Sequence, residues 1–136
     1  MLDQTELDQF AKELVTRVRD PAIKQCDRLA NGNQRSARGQ FWRMFTENDS
    51  VRQGVLELIP DIVDEALFQL LNAIDNGQLP LALRRSDDSS VSLQELGQGE
   101  MAGWLTMGRD GWLERFSVER FHDHLSSMTD RSDTGA

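Results

Sequence analysis

The longest apolar-periodic run in the chain lies between Ser50 and Asn76, and it constrains the fold more than any other stretch. Its apolar residues recur at steps of three and four, which predicts an amphipathic helix with one broad buried face. These residues are Ile59, Ile62, Val63, Ala66, Leu67, Leu70, Leu71 and Ile74. The opposite side carries Asp61, Asp64, Glu65, Asn72 and Asp75. The sequence therefore predicts a central core helix that shows a row of carboxylates to solvent or to a partner.

Helix-capping residues and one proline set the expected limits of this element. Asp49-Ser50 with Gln53 forms an S-x-x-Q capping box, and Asn76-Gly77 is typical of a helix end. Pro60 disfavours helical geometry at the residue before it. We therefore expect either a kink or two abutting helices, over about 50–59 and 60–75.

The sequence pattern of the N-terminal third predicts three shorter helices. Thr5 starts the first, which should end near Arg19, because Asp20-Pro21 is suited to stop one helix and start the next. Asn31-Gly32 should end the second helix, and residues 31–40 read as a polar surface loop. The aromatic cluster at 41–45 predicts a short helix, two of whose large residues face the core while the others need a second surface.

After Gly77 the pattern changes to alternation over residues 79–84, which predicts a strand that can pair with residues 91–93 as a small β-hairpin. Ser92 and Glu95 also satisfy a capping box for a short helical turn. Further helices are expected over 99–107 and from Ser117 to about residue 125. The predicted fold is mainly α, with five or six helices in one domain over 1–125, the hairpin between the central and C-terminal helices, and a flexible tail over 126–136.

Composition narrows the class of protein. The chain has 136 residues and a net charge of −8. It lacks the run of about 20 apolar residues that a membrane span needs, and its acidic, polar start is unlike a secretory signal. The single cysteine, Cys26, has no partner for an internal disulfide and is expected to be a small buried residue. We expect a cytoplasmic protein that is not inserted in a membrane.

The charge is unevenly distributed. Residues 17–43 carry seven Lys or Arg against two Asp, a net charge of +5, which leaves −13 on the rest of the chain. Such a field attracts basic partners to the acidic part and disfavours general nucleic-acid binding. It also allows pairing between copies, as in a homodimer. A solvated surface that keeps the protein soluble explains the same charges without any partner.

No catalytic motif is present, and no catalytic, cofactor or metal residue is assigned. His122-Asp123-His124 resembles a metal-binding fragment, but two histidines that are two residues apart on a helix cannot share one ion. The carboxylates at 61, 64 and 65 lack the histidine and the second helix that helical carboxylate metal sites use. An enzyme is therefore the less favoured interpretation.

Trp104 and Trp112 carry the competing interpretation. Large aromatics at helical spacing are usually core residues, but they can also line a pocket. Glu100 and Arg109 flank this segment and supply polar groups. The alternative hypothesis is a small-ligand or enzyme domain whose pocket contains these four residues.

Two runs carry a resemblance to known proteins: DEALFQLLNAIDNGQLPL at 64–81 and GEMAGWLTMGRDGWLERFSVERFHD at 99–123. They are similar to a pattern found in small uncharacterised bacterial cytosolic proteins. In size and acidity the chain also resembles immunity proteins, which neutralise bacterial toxins by masking a basic active site. The resemblance implies a helical inhibitor of a basic protein.

The leading hypothesis is a non-enzymatic protein-binding domain of the immunity type that engages a basic partner through its acidic helix face. In this hypothesis Asp61, Asp64, Glu65 and Asp75 steer the encounter, and Trp112 is an exposed aromatic anchor. The ligand-pocket protein and a self-assembling structural protein are the two alternatives. The acidic cluster also has a purely structural explanation, since carboxylates stabilise the first turn of a helix.

Overall fold

The computed structural model describes residues 4–32 and 34–121, and the chain is mainly helical. Three segments of the chain, α1 (Gln4–Leu14), a π-helical turn (Val15–Arg19) and α2 (Asp20–Ala30), follow one another without a break. If these three segments are counted as one helix, the described part of the chain contains six helices. A two-stranded antiparallel hairpin lies between the long central helix and the C-terminal helices. The predicted fold class is confirmed.

The N-terminal helix does not end at Asp20-Pro21, and this prediction was wrong. Asp20 keeps helical angles, with φ −62° and ψ −42°, and its N–H bonds the carbonyl of Val15, five residues back. A proline lacks the N–H of a helical hydrogen bond, and the wider π turn before Pro21 lets the helix continue past it. The helix ends as predicted at Asn31, where Gly32 adopts a positive φ of 73°.

The next two helices are α3 (Ala37–Thr46) and α4 (Asp49–Asp75). Ser36 caps α3 by accepting a bond from the Gly39 N–H, so the polar loop ends earlier than predicted. The side chain of Asn48, rather than Ser50, caps α4 by accepting from two backbone N–H groups. Helix α4 continues through Pro60, which excludes two abutting helices, and Ile59 and Pro60 are both buried.

The hairpin pairs β1 (Ala82–Arg84) with β2 (Ser90–Ser92), and α5 (Leu93–Leu96) follows at once. A hairpin and a helical turn are therefore both present, but the first strand begins at Ala82 rather than at residue 79, and Ser92 makes no side-chain capping bond. Next come α6 (Met101–Leu105), a 3-10 turn (Gly108–Asp110) and α7 (Trp112–Phe116).

The helix predicted to begin after Ser117 is absent from the described residues, which end at 121. Residues 117–121 are non-helical, because they bond to two side chains of the N-terminal helix. Arg19 donates to the Ser117 hydroxyl and to the Arg120 carbonyl, and the Val118 N–H donates to Asp20. The His122-Asp123-His124 fragment and the predicted tail at 126–136 lie outside the described residues.

Two hydrophobic clusters hold the structure together, and they differ in size. The larger joins α1 and the C-terminal half of α4 to α5, α6 and α7. The smaller consists of Ile23, Ala30 and Ile59, with Trp42 and other half-buried residues packed around them. The α3 end of the molecule therefore has a thin core. Within the described ranges, no helix combines the length and apolarity needed to cross a membrane.

Candidate functional site

A buried arginine explains part of the acidic row on α4. Arg19 is fully buried at the end of the π turn. Its Nε donates to Asp64 Oδ1 at 2.6 Å and its Nη2 to Asp64 Oδ2 at 3.1 Å, so the pair is bidentate. Its Nη1 donates to Asp20 Oδ1 at 2.9 Å and to the Ser117 hydroxyl at 2.7 Å, and Nη2 also donates to the Arg120 carbonyl at 2.9 Å.

These contacts use all five N–H groups of the guanidinium, the full donor capacity of an arginine. They join α2, α4 and residues 117–120, with Val118 N–H also donating to Asp20 Oδ2 at 2.9 Å. A charge buried this deeply is tolerated only when it is paired and fully hydrogen-bonded. Asp64 therefore serves the fold, and its carboxylate is not presented to a partner.

Asp75 is also used inside the molecule. It is 8% exposed, and its two carboxylate oxygens accept the backbone N–H groups of Met101 at 3.1 Å and Ala102 at 2.8 Å. These are N–H groups of the first turn of α6, which lack partners within the helix. Asp75 fixes α6 against the end of α4, so the expectation that it faces a partner is corrected.

The tryptophan pocket is small. The Trp104 and Trp112 rings lie 6.5 Å apart, beside a cavity of about 260 Å³ whose lining includes both rings and Asp8. That volume is below the roughly 300–1,000 Å³ typical of small-ligand sites. Glu100 and Arg109 are not among the lining residues. Trp112 is 2% exposed and packs edge-on against Phe10, so it is a core residue and not an exposed anchor.

The remaining predicted residues, Asp61 and Glu65, lie at the surface of α4 together with Glu57. Beside them runs an apolar stripe that we name the α4 stripe, made of Val51, Leu58 and Ile62. Steps of seven and four residues place its members on one helix face. Leu58 is 56% exposed and Ile62 is 63% exposed, although the sequence pattern predicted that Ile62 is buried.

An open groove of about 590 Å³ borders the stripe. It is lined by Gly54, Glu57, Leu58, Pro60, Asp61, Arg120 and Phe121. Arg120 is held in place, since its two Nη atoms donate to the Asp27 carboxylate at 2.8 Å each. This pairing raises the pKa of Arg120 and fixes one wall of the groove. A Cβ added at Gly54 meets no atom within 4 Å, so the backbone there is open to close approach.

A second exposed apolar surface lies on α3, and we name it the α3 patch: Phe41, Met44 and Phe45. The two phenylalanine rings contact each other edge to face, with centroids 5.3 Å apart. Only Trp42 of the aromatic cluster packs onto the smaller core. Arg35 and Arg38 are exposed near the start of the same helix. Single exposed apolar residues are ordinary, but a cluster of large ones marks an interaction surface.

In the described part of the chain, no group of three or more His, Cys, Asp or Glu residues is placed to hold a metal ion. Burial raises the pKa of the Cys26 thiol, the opposite of what a nucleophilic cysteine needs.

No family model, no curated protein and no solved structure matches this chain.

Sequence reasoning missed both apolar surfaces. A signal for the α4 stripe was available, because Val51, Leu58 and Ile62 repeat at steps of seven and four, apart from the main buried face. For the α3 patch the sequence predicted that some aromatics need a second surface, but it did not indicate which ones.

Proposed function

We propose that this chain is a non-enzymatic protein-binding domain that engages a basic protein through the outer face of α4. The observation that carries the proposal is the α4 stripe, in which Leu58 and Ile62 are more than half exposed on a helix that also presents carboxylates. An apolar centre with charges at its edge is the usual construction of a protein interface.

The contributions of the two components differ. Burying exposed apolar surface supplies affinity, at roughly 25 cal/mol per Å² removed from water before the costs of association. The carboxylates of Glu57, Asp61 and Glu65, together with a net charge of −8, attract and orient a basic partner. Glu57 replaces Asp64 and Asp75 in the proposed surface, because these two bond within the fold.

Immunity to a toxin is the most concrete form of this function. A toxin that acts on an anionic substrate has a basic active site, which an acidic surface can cover. A helical protein with a fixed groove beside an apolar stripe is suited to this role, because little ordering is required on binding. A toxin gene adjacent to the gene for this chain would support it directly.

The test is a capture experiment with matched variants. The double variant Leu58→Asp/Ile62→Asp removes the apolar stripe, whereas Met107→Asp changes a comparably exposed residue, 52% accessible, outside the stripe and groove. We expect a basic protein to bind the unaltered chain and the Met107→Asp control and to be lost from the double variant. Glu57→Lys/Glu65→Lys should weaken the same binding and reduce its dependence on salt.

All of these positions are exposed, so each variant should remain folded. Circular dichroism and thermal unfolding check this. Equal binding of that protein by the unaltered chain and by both double variants would contradict the proposal. Loss of binding in Met107→Asp, at a residue that lines the cavity beside Trp104, would instead favour the ligand-binding alternative.

A further inference from the structure

The two exposed apolar surfaces carry opposite charges. The α3 patch has Arg35 and Arg38 beside it, whereas the α4 stripe has Glu57 and Glu65. Within the described ranges, neither arginine forms an ion pair, and neither do these two glutamates. Their charges are thus available for contacts made by the surface of another molecule.

The α3 face fits within the length of the α4 stripe. The helical part of the α3 face, residues 37–45, spans about 12 Å, and the α4 stripe from position 51 to 62 spans about 16 Å, at 1.5 Å per helical residue. The largest exposed apolar side chains lie toward the C-terminal end of each face, at Phe41, Met44 and Phe45 on α3 and at Leu58 and Ile62 on α4. Such faces can pack side by side at the separations of about 8–10 Å usual for helices.

We propose that the chain associates with a second copy of itself, with the α3 patch of one copy seated on the α4 stripe of the other. The inference rests on the proposed function of the α4 face, and it names a second copy as an occupant of that face. The supporting observation is charge complementarity between the exposed Arg35 and Arg38 beside the α3 patch and the exposed Glu57 and Glu65 beside the α4 stripe. Like-charged faces would repel, so pairing α3 with α3 is disfavoured.

An antiparallel arrangement satisfies both charge and shape. With the start of α3 toward the C-terminal end of the stripe and Phe41 level with Leu58, Arg38 lies level with position 61, about one helical turn from both Glu57 and Glu65. Arg35 precedes it on the side of Glu65. Phe45 then comes to the level of Gly54, the position where an added side chain meets open space. The absence of a Cβ at Gly54 allows the aromatic ring to approach the backbone of α4.

The contact closes into a symmetric dimer. Only Glu47 and Asn48 separate α3 from α4, so the two surfaces lie on consecutive helices. Each copy offers both surfaces, and a two-fold axis between the copies lets the same contact form twice. Self-association then covers the α4 stripe, and a basic partner must compete with the second copy for it.

Sedimentation velocity over a range of concentrations tests the proposal with two charge-reversal variants. We expect the unaltered chain to dimerise, and both Arg35→Glu/Arg38→Glu and Glu57→Arg/Glu65→Arg to show at least about a tenfold weaker dimer, equivalent to about 1.4 kcal/mol. An equimolar mixture of the two variants should recover the dimer, because each restores the opposite charge on its partner. A folding defect cannot produce this recovery.

A monomer at all concentrations, unweakened dimers in the separate variants, or a mixture that stays monomeric would each overturn self-association. These failures are distinguishable from failure of the proposed function. If the chain is a monomer but Leu58→Asp/Ile62→Asp still loses a captured basic protein, the α4 face binds foreign partners only. If the variants and their mixture behave as expected while captured basic protein is unaffected by Leu58→Asp/Ile62→Asp, self-association stands without the foreign partner.

Discussion

Helix α4 carries carboxylates of two kinds. Asp64 and Asp75 point into the molecule, where one pairs with a fully buried arginine and the other caps a neighbouring helix. Glu57 and Glu65 point outward, beside exposed leucine and isoleucine side chains. Asp64 and Glu65 are adjacent in the sequence, but adjacent residues of a helix point about 100° apart, so the two side chains lie on different faces.

The comparison shows that acidic residues in one row can have separate physical roles. The inward pair stabilises the fold through charge-assisted hydrogen bonds, which are strong only because their partners are fixed and desolvated. The outward pair is solvated, so it contributes little to stability and can attract a partner. Substitutions at the two kinds of position should therefore separate stability from binding.

The largest expected effect follows from removing the buried arginine. Arg19→Met should lower the free energy of unfolding by about 3–5 kcal/mol, because the buried Asp20 and the largely buried Asp64 would lose their cation. Urea denaturation measures the loss. The control is Arg17→Met, at an exposed position of the same π turn, which should change stability by no more than about 0.5 kcal/mol. Similar losses in both variants would show that the network is not what stabilises this region.

A smaller loss is expected at the helix cap. Asp75→Ala should destabilise the protein by about 1–3 kcal/mol, since two buried N–H groups of α6 lose their acceptors. Glu65→Ala on the same helix removes an exposed carboxylate and should stay within about 0.5 kcal/mol of the unaltered chain. Thermal unfolding of the two variants gives the comparison. If Glu65→Ala is the more damaging of the two, the division of the carboxylates is wrong.

Gly54 offers a change in the opposite direction. Gly54→Ala should stabilise the protein by about 0.5–1 kcal/mol, because glycine is entropically costly inside a helix and the new methyl group meets no atom. The matched control is Gly103→Ala in α6, where an added Cβ also meets nothing. Both should raise the midpoint of denaturation, but only Gly54→Ala should weaken dimer formation. An unchanged dimer in Gly54→Ala would remove the close contact from the proposed interface.

The smallest effect concerns the thiol beneath the α3 end of the molecule. Burial raises the pKa of Cys26, so the folded state holds the thiol proton more tightly than the unfolded state. The resulting contribution to the free energy of unfolding is fully present below the pKa of the thiol in the unfolded chain. It is lost as pH rises through the pKa of the thiol in the folded protein. Alkylation by iodoacetamide should show a pH midpoint that is higher in the native protein than in urea. A native midpoint at or below the unfolded one would contradict this.

The sequence by itself determined the helical class, the hairpin after Gly77 and the burial of Leu67, Leu71 and Ile74, because periodicity and turn residues act locally. It also identified the acidic residues of α4. It did not predict the continuous helix past Pro21, since the π turn that accommodates the proline is joined to the buried Arg19 network.

Only the tertiary structure decided what each carboxylate and aromatic does. Asp64 has a structural role because Arg19, 45 residues earlier in the chain, donates to it. Asp75 has a structural role because α6 begins beside it and donates backbone N–H groups to it. Trp112 was buried by Phe10 and Trp104, whereas Leu58 and Ile62 were left exposed because no described element covers that side of α4. Helical periodicity defines the faces of a helix, but the packing of distant segments determines which face is buried.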